Sequence, residues 1–163
     1  MGATKANKPT FEEWQDCSEL AFEWARSYDE KVNYGGVNNA QADAMPAAEF
    51  VKMMQNPLFL GDKNIESQHL LGLSKWEKLS DTEIKSQHQS RAAHQRWEEG
   101  RGDIAAKGHG HGLVTTFYKK VDGEWKWAGI QTKVDFNEHE FERVFVGSAG
   151  KFDQDGNTIE AAP

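Results

Sequence analysis

The side chains best suited to proton transfer are the six histidines, because imidazole titrates near neutral pH. His69 lies in SQHLLGL and His94 in AAHQRW, and both segments are typical of strands. Alternation along the second of these strands places five residues on one face: Ser86, His88, Ser90, Ala92 and His94. That face could line a polar cavity or form the solvated outer side of a sheet, and the pattern leaves both open.

A tyrosine and an aspartate, Tyr28 and Asp29, are adjacent at the end of the first predicted helix. A tyrosine hydroxyl can polarise a carbonyl, and a carboxylate can orient an imidazole that moves protons. Together with the histidines, these residues suit acid–base catalysis. The alternative is a helix end at which Asp29 is simply exposed, and the residue types alone leave it open.

Two further histidines, His109 and His111, alternate with glycines in the run GHGHG. On a strand they would share one face, a spacing that suits metal chelation. No carboxylate and third histidine follow at a regular spacing, and the glycines could serve only to relieve crowding. We therefore assign no metal site from the sequence. Cys17 falls on the apolar stripe of a predicted helix and is interpreted as a core residue rather than a nucleophile.

The first half of the chain has the periodicity of helices. Apolar residues recur at spacings of three and four from Phe11 to Tyr28, which predicts an amphipathic helix. Thr10 is its expected N-cap, in a capping box with Glu13. A second helix is expected from Pro46 or Ala47 to Gln55, because proline suits a first helical turn.

Four strands are predicted in the second half, over residues 67–79, 83–97, 108–121 and 124–134, with turn signals between them. A last helix is expected over residues 137–146. Helices followed by a curved antiparallel meander define an α+β domain. We expect a disordered N-terminus over residues 1–10, a folded domain over 11–146 and a flexible tail over 147–163.

Composition excludes several classes of partner. The chain has 163 residues, a net charge of −7 and no run of more than two basic residues, which argues against nucleic acid and anionic membranes. No apolar run is long enough to span a bilayer, no secretory signal is visible, and a single cysteine suits a cytoplasmic protein. Motifs for nucleotide cofactors or a serine nucleophile are missing.

Longer segments resemble the fungal scytalone dehydratase family of the NTF2-like, or SnoaL-like, superfamily. The matching segments follow in family order from Phe11 to about Phe145: FEWARSYDEK, VNYGG, DAMPAAEFVKMM, LGDKNIESQHLLG, AAHQRW, KGHGHG, FYKKVDGEWKWAGI and FERVF. The resemblance implies a cone-shaped α+β barrel with a curved antiparallel sheet, N-terminal helices and a C-terminal lid helix. It also implies a homotrimer that needs no metal or organic cofactor and dehydrates a small polyketide-derived ketone, scytalone or vermelone, in melanin biosynthesis.

The resemblance further implies roles for single residues. Tyr28 and Tyr34 would hold a water that polarises the substrate ketone, and His69, oriented by Asp29, would abstract the adjacent proton. His94 would support the site from the neighbouring strand. The residues expected to contact the substrate are both tyrosines and Val37, Met53, Phe59, Val114, Phe141 and Phe145, the last two on the lid.

Two features depart from the family pattern. Gly112 and Val114 stand where the family usually carries a serine and an asparagine, which favours a relative acting as dehydratase, cyclase or isomerase in another fungal polyketide pathway. After Lys31, a short helix and the lead-in to the first family strand are missing. This internal deletion is interpreted as a skipped exon, an erroneous gene model or a decayed copy, and it makes an inactive binding module a third alternative.

Overall fold

The computed structural model describes residues 7–30, 51–52 and 54–146. Several sequence-based expectations therefore lie outside the described residues: the first six residues, the tail over 147–163, most of the second predicted helix, the deletion after Lys31, and the roles of Tyr34, Val37 and Met53. Residues 7–10, predicted to be disordered, are described, and the Lys78 amide donates to the Asn7 carbonyl at 2.7 Å. Tyr28 and Asp29 fall in the last turn of a described helix, but their side chains are not described.

Helix α1 spans Phe11–Glu30, slightly longer than predicted. The expected capping box is confirmed: the Glu13 amide donates to Thr10 Oγ1 at 3.2 Å, and the Thr10 amide donates to Glu13 Oε2 at 3.0 Å. Cys17 is fully buried in the apolar core, which confirms its interpretation as a core residue, and burial raises the pKa of its thiol to about 12. No helix in the described ranges is long and apolar enough to cross a membrane.

Four long strands form one antiparallel sheet in the order β1-β2-β3-β4. Their bounds are Ile65–Ser80, Glu83–Trp97, Ile104–Val121 and Glu124–His139. The prediction for β2 is confirmed at both ends, and β1 and β3 begin earlier than predicted. Register shifts interrupt the pairing of β1 with β2 and of β3 with β4, and such bulges bend strands.

The prediction of a helix from Asn137 is wrong for its first turn. Strand β4 continues to His139, because its backbone pairs with β3 as far as Gly108. His139 has a φ of 59°, which ends the strand, and a short helix α2 follows over Phe141–Val144. The lid position is therefore occupied by a single helical turn.

One face of the sheet carries the core. Helix α1 packs against β1 and β4, and α2 packs against β3 and β2. On β2, Ser86, His88 and His94 are buried, so the question left open by the sequence is decided: this polar face points inward. The helices thus enclose a face that bears histidines as well as apolar residues.

Candidate active site

Two histidines meet on neighbouring strands of the inner face. Because Ser67 pairs with His94 and His69 with Ala92, both imidazoles lie at the same level of the sheet. Their ring centroids are 5.7 Å apart, with the planes at 74°. Trp24 of α1 approaches His69 edge-on at 6.3 Å. The structure therefore brings together the two histidines that the sequence singled out.

His94 is buried and hydrogen-bonded to a serine. It is only 6% exposed, and its Nδ1 lies 2.7 Å from the Ser67 hydroxyl. Burial, followed by the neighbouring His69 and His109, lowers the pKa of His94 to about 3. The imidazole is therefore neutral at physiological pH. Its Nδ1 is engaged by Ser67, so a ligand would contact its other ring nitrogen, Nε2.

We expect this buried neutral imidazole to make stability depend on pH. In the unfolded chain His94 takes up a proton near pH 6.5, whereas in the folded chain it does so only near pH 3. Between these values the unfolded state binds more protons, so the free energy of unfolding falls as the pH falls, by up to about 1.4 kcal/mol per pH unit for this group. Urea denaturation between pH 4.5 and 7.5 measures the slope.

The variant His94→Gln is the control for that slope. The free energy of unfolding of this variant should change less steeply with pH, by the amount that uptake of one proton contributes. The contribution of His88, whose pKa burial also lowers, should remain. Equal slopes in the two proteins would show that folding does not lower the pKa of His94.

A cavity of about 390 Å³ opens beside the two histidines. Phe59, Phe141 and Phe145 all line it. Phe145 lies 5.3 Å from Phe59 and 5.1 Å from Phe141 between ring centroids, and 4.8 Å from the His94 ring. The site thus combines a wall that includes three phenylalanine rings with a pair of imidazoles, which suits a flat apolar ligand with a few polar groups.

Helix α2, which carries two of these rings, is anchored by one arginine. Arg96 Nε donates to the Val144 carbonyl at 2.6 Å, and its guanidinium also donates to Asp62 Oδ2 at 2.8 Å. Both ionic side chains are largely shielded from solvent, with 14% and 17% of their surface exposed. A shielded, charge-assisted pair of this kind fixes the helix against the sheet.

Two positions that differ from the family pattern lie in different surroundings. Val114 is 2% exposed and belongs to the apolar core around Tyr118 and Trp127, whereas the cavity is lined by Gly112. A Cβ at Gly112 would lie 2.0 Å from the Lys133 carbonyl oxygen, so this backbone accepts no side chain there. A direct contact of Val114 with substrate stays a prediction.

Sequence reasoning missed two polar residues of the site, Ser67 and Asn137, whereas Ser90 was already placed on the β2 face that could line a cavity. Ser90 and Asn137 line the cavity, and Ser67 binds His94. The alternation of β1 could have revealed Ser67, since it stands two residues before His69 on the same face. Asn137 gave no such signal, because it fell within the predicted helix.

A second buried polar group lies on the same face of β2. Ser86 Oγ is 2.8 Å from His88 Nε2 and 3.2 Å from the Tyr118 hydroxyl, and Trp76 packs edge-on against the His88 ring at 5.5 Å. Burial lowers the pKa of His88 and raises that of Tyr118, so both are neutral at physiological pH. This network supports the sheet interior beside the catalytic candidates.

Comparison with known proteins identifies relatives along the chain. A model of the scytalone dehydratase family matches residues 8–152. Dehydratase AgnL8 of Paecilomyces divaricatus is 37% identical over 172 residues, covering 96% of this chain and 99% of the relative. A scytalone dehydratase of Colletotrichum orbiculare is 36% identical over 159 residues, covering 88% of this chain and 85% of the relative.

The alignment with AgnL8 is longer than this chain's 163 residues, so that relative carries residues with no counterpart here. That they follow Lys31 stays a prediction.

A solved structure supports the fold. The hexachlorocyclohexane dehydrochlorinase LinA-type3 of Novosphingobium barchaimii superposes with a TM-score of 0.63 at 12% identity, covering 78% of this chain and 90% of the other. This likeness concerns the fold alone, and it confirms the predicted NTF2-like α+β architecture. Because the family model covers most of the chain and both relatives align along most of its length, the chain belongs to the scytalone dehydratase family.

Proposed function

We propose that this protein is a carbon–oxygen lyase that removes water from a hydroxylated bicyclic polyketide ketone of the scytalone type. The observation that carries the proposal is the pairing of His69 and His94 beside an aromatic-walled cavity. Named relatives at 36–37% identity include a scytalone dehydratase and a dehydratase, which supports the same reaction class. The proposed reaction uses no organic cofactor and no catalytic metal.

Elimination needs a base at the carbon next to the ketone. In the proposed reaction, His69 takes that proton and the C–H electron pair moves into an enolate whose charge lies on the ketone oxygen. The enolate electrons then form the carbon–carbon double bond as the β-hydroxyl leaves, and the protonated His69 returns its proton to that hydroxyl to give water. The charge on the ketone oxygen needs hydrogen-bond donors while the enolate exists. Family resemblance assigns that task to Tyr28 and Tyr34 through a water, and assigns orientation of His69 to Asp29.

The cavity suits such a substrate in size and character. Its volume of about 390 Å³ is within the usual range for small-molecule sites, and the rings of Phe59, Phe141 and Phe145 offer faces for a planar ring system. His94, buried and neutral, brings an uncharged polar group close to those rings without placing a charge among them. Water excluded by α2 would strengthen the hydrogen bonds that form during the reaction.

A second candidate is a dehydratase, cyclase or isomerase for another fungal polyketide ketone. Gly112 favours it, because the close Lys133 carbonyl leaves no room there for a substrate-binding hydroxyl. An inactive binding module is the third candidate, favoured by the expected deletion after Lys31. The main proposal also includes action in melanin synthesis and assembly as a homotrimer, and both rest on the family resemblance. It includes a cytoplasmic location as well, for which the ground is that the chain has a single, buried cysteine, Cys17.

Incubation of the purified chain with scytalone tests the proposal. We expect dehydration that can be followed by absorbance without any added metal or cofactor. Turnover of a different hydroxylated polyketide ketone but not of scytalone would favour the second candidate. Tight binding of scytalone without release of water would overturn the enzyme assignment and favour the binding module.

A further inference from the structure

Two histidines and a glutamate converge on β3 and β4, with His109 and His111 alternating with the glycines that face His94, although His111 also lines the cavity. Glu138 Oε1 lies 2.9 Å from His109 Nδ1 and 3.1 Å from His111 Nε2. The three potential ligand atoms all lie within 4.8 Å of one another. We refer to His109, His111 and Glu138 as the HHE cluster.

Strand pairing assembles this cluster from residues far apart in sequence. His109 and His111 share one face of β3 because strand side chains alternate, and Glu138 pairs directly with His109 across to β4. Gly108 and Gly110 occupy the opposite face, where Phe141 closes over the strand. The carboxylate that was missing from the local sequence pattern is therefore supplied by the neighbouring strand.

The cluster is partly shielded and its second imidazole is already oriented. The His109 and His111 side chains are only 21% and 23% exposed. The His111 ring stacks on Phe136 with centroids 4.5 Å apart and planes at 9°. His111 Nε2 is buried and makes no hydrogen bond of normal geometry within the described part of the chain, although Glu138 lies beside it. A buried ring nitrogen aimed at a carboxylate is the arrangement that a bound cation would satisfy.

We propose that the HHE cluster binds a divalent transition-metal ion of the zinc class. Two imidazole nitrogens and one carboxylate oxygen form a ligand set that these ions prefer. In a tetrahedral site the ligand atoms are about 3.3 Å apart. A cation therefore needs a small expansion of the 2.9 and 3.1 Å separations from Glu138 Oε1, and side-chain rotation that brings the two histidine nitrogens, which lie within 4.8 Å of each other, to the same spacing. A water would complete the coordination. This site revises the sequence-based assignment of no metal, and the proposed dehydration assigns no step to it.

Arg91 competes with a cation for this site. Its guanidinium lies 3.2 Å from Glu138 Oε1 and also contacts His109 Nδ1. The Arg91 side chain is 46% exposed, so it can swing into solvent when an ion enters. Hydrogen bonding from His109, with His111 next to it, holds the pKa of Glu138 below its usual range, which keeps the carboxylate ionised for either positive partner.

Titration of Zn²⁺ into the tag-free full-length chain, followed by calorimetry, tests this proposal directly. We expect one equivalent to bind, and Co²⁺ to give the visible absorption of a four-coordinate site. Glu138→Gln and the double variant His109→Ala/His111→Ala should each weaken binding at least about tenfold. Arg91→Gln should tighten it, because the competing charge is gone.

His139→Asn is the matched control. His139 is 60% exposed, and its Nε2 lies 3.8 Å from Glu138 Oε1, farther than the nitrogens of His109 and His111. Asparagine tolerates its left-handed backbone. Circular dichroism of each variant separates lost ligands from lost folding. The proposal is overturned if wild-type protein shows no saturable Zn²⁺ binding, or if Glu138→Gln binds as tightly as His139→Asn. These measurements need no enzyme substrate, so their outcome is independent of the proposed dehydration.

Discussion

Replacing His69 with asparagine is expected to slow dehydration of a scytalone-type ketone by about 10²–10⁴-fold, because the amide cannot accept the proton that elimination releases. The loss should appear in kcat, with little change in substrate binding, since asparagine keeps a polar group of similar size beside His94. Steady-state rates and binding of the ketone measured by calorimetry would separate the two effects.

His139→Asn is the control for the same histidine-to-asparagine change at a site away from the cavity. It should retain wild-type rates. The assignment of His69 as the base fails if His69→Asn keeps more than about a tenth of the wild-type kcat while remaining folded. An inactive wild-type protein would instead contradict the proposed function as a whole.

The strands were the most predictable part of this molecule. The boundaries of β2 follow from turn signals at Ser80-Asp81 and in Gly100–Asp103, and these depend on local backbone preferences. Local turn signals did not predict the end of β4. Phe141, Val144 and Phe145 have helical spacing, but pairing with Gly108 on β3 extends the strand to His139 first.

The inner face of β2 shows why part of the site stayed ambiguous. Both of its faces carry polar residues: Ser86 and His88 on one, Gln87 and Gln89 on the other. Alternation separates the two faces but cannot say which one the helices cover. Packing of Cys17 and Trp24 from α1 against Ile84 decides it, and that contact is between residues distant in sequence.

Distance in sequence also hid the partners of individual histidines. The separation of Ser67 from His94 is 27 residues and that of His109 from Glu138 is 29. Both contacts follow directly from the register of neighbouring strands. The residue types could therefore be selected from sequence alone, whereas their grouping required the sheet.

Gly108→Ala is expected to disturb the lid more than any other small substitution on β3. A Cβ at this position would lie 2.3 Å from the Phe141 Cα and 2.6 Å from its backbone nitrogen. Backbone atoms cannot rotate away, so α2 must move off the strand, at a cost of about 1–3 kcal/mol of unfolding free energy. The melting temperature should fall by roughly 2–4 °C for each kcal/mol.

The same displacement should impair the site. Phe141 lies 5.7 Å from the His94 ring, and Phe145 follows on the same segment, so movement of α2 opens the aromatic wall. Arg96 resists this movement through the Val144 carbonyl and Asp62, which means that the strain falls on that anchor as well. We expect a raised KM, because the wall binds the substrate without taking part in proton transfer.

Gly110→Ala is the matched control for stability, on the same face of the same strand. Its Cβ would meet Asn137 Oδ1 at 3.3 Å and Phe141 Cε2 at 3.6 Å, which are ends of side chains that can shift. Gly102→Ala, with nothing within 4 Å, is the control for activity. If Gly108→Ala and Gly110→Ala melt at the same temperature, close approach of α2 to β3 does not hold the lid. If they differ as expected, the backbone of Phe141 requires glycine at position 108, and this close approach lets a single helical turn pack directly on β3 beside the cavity.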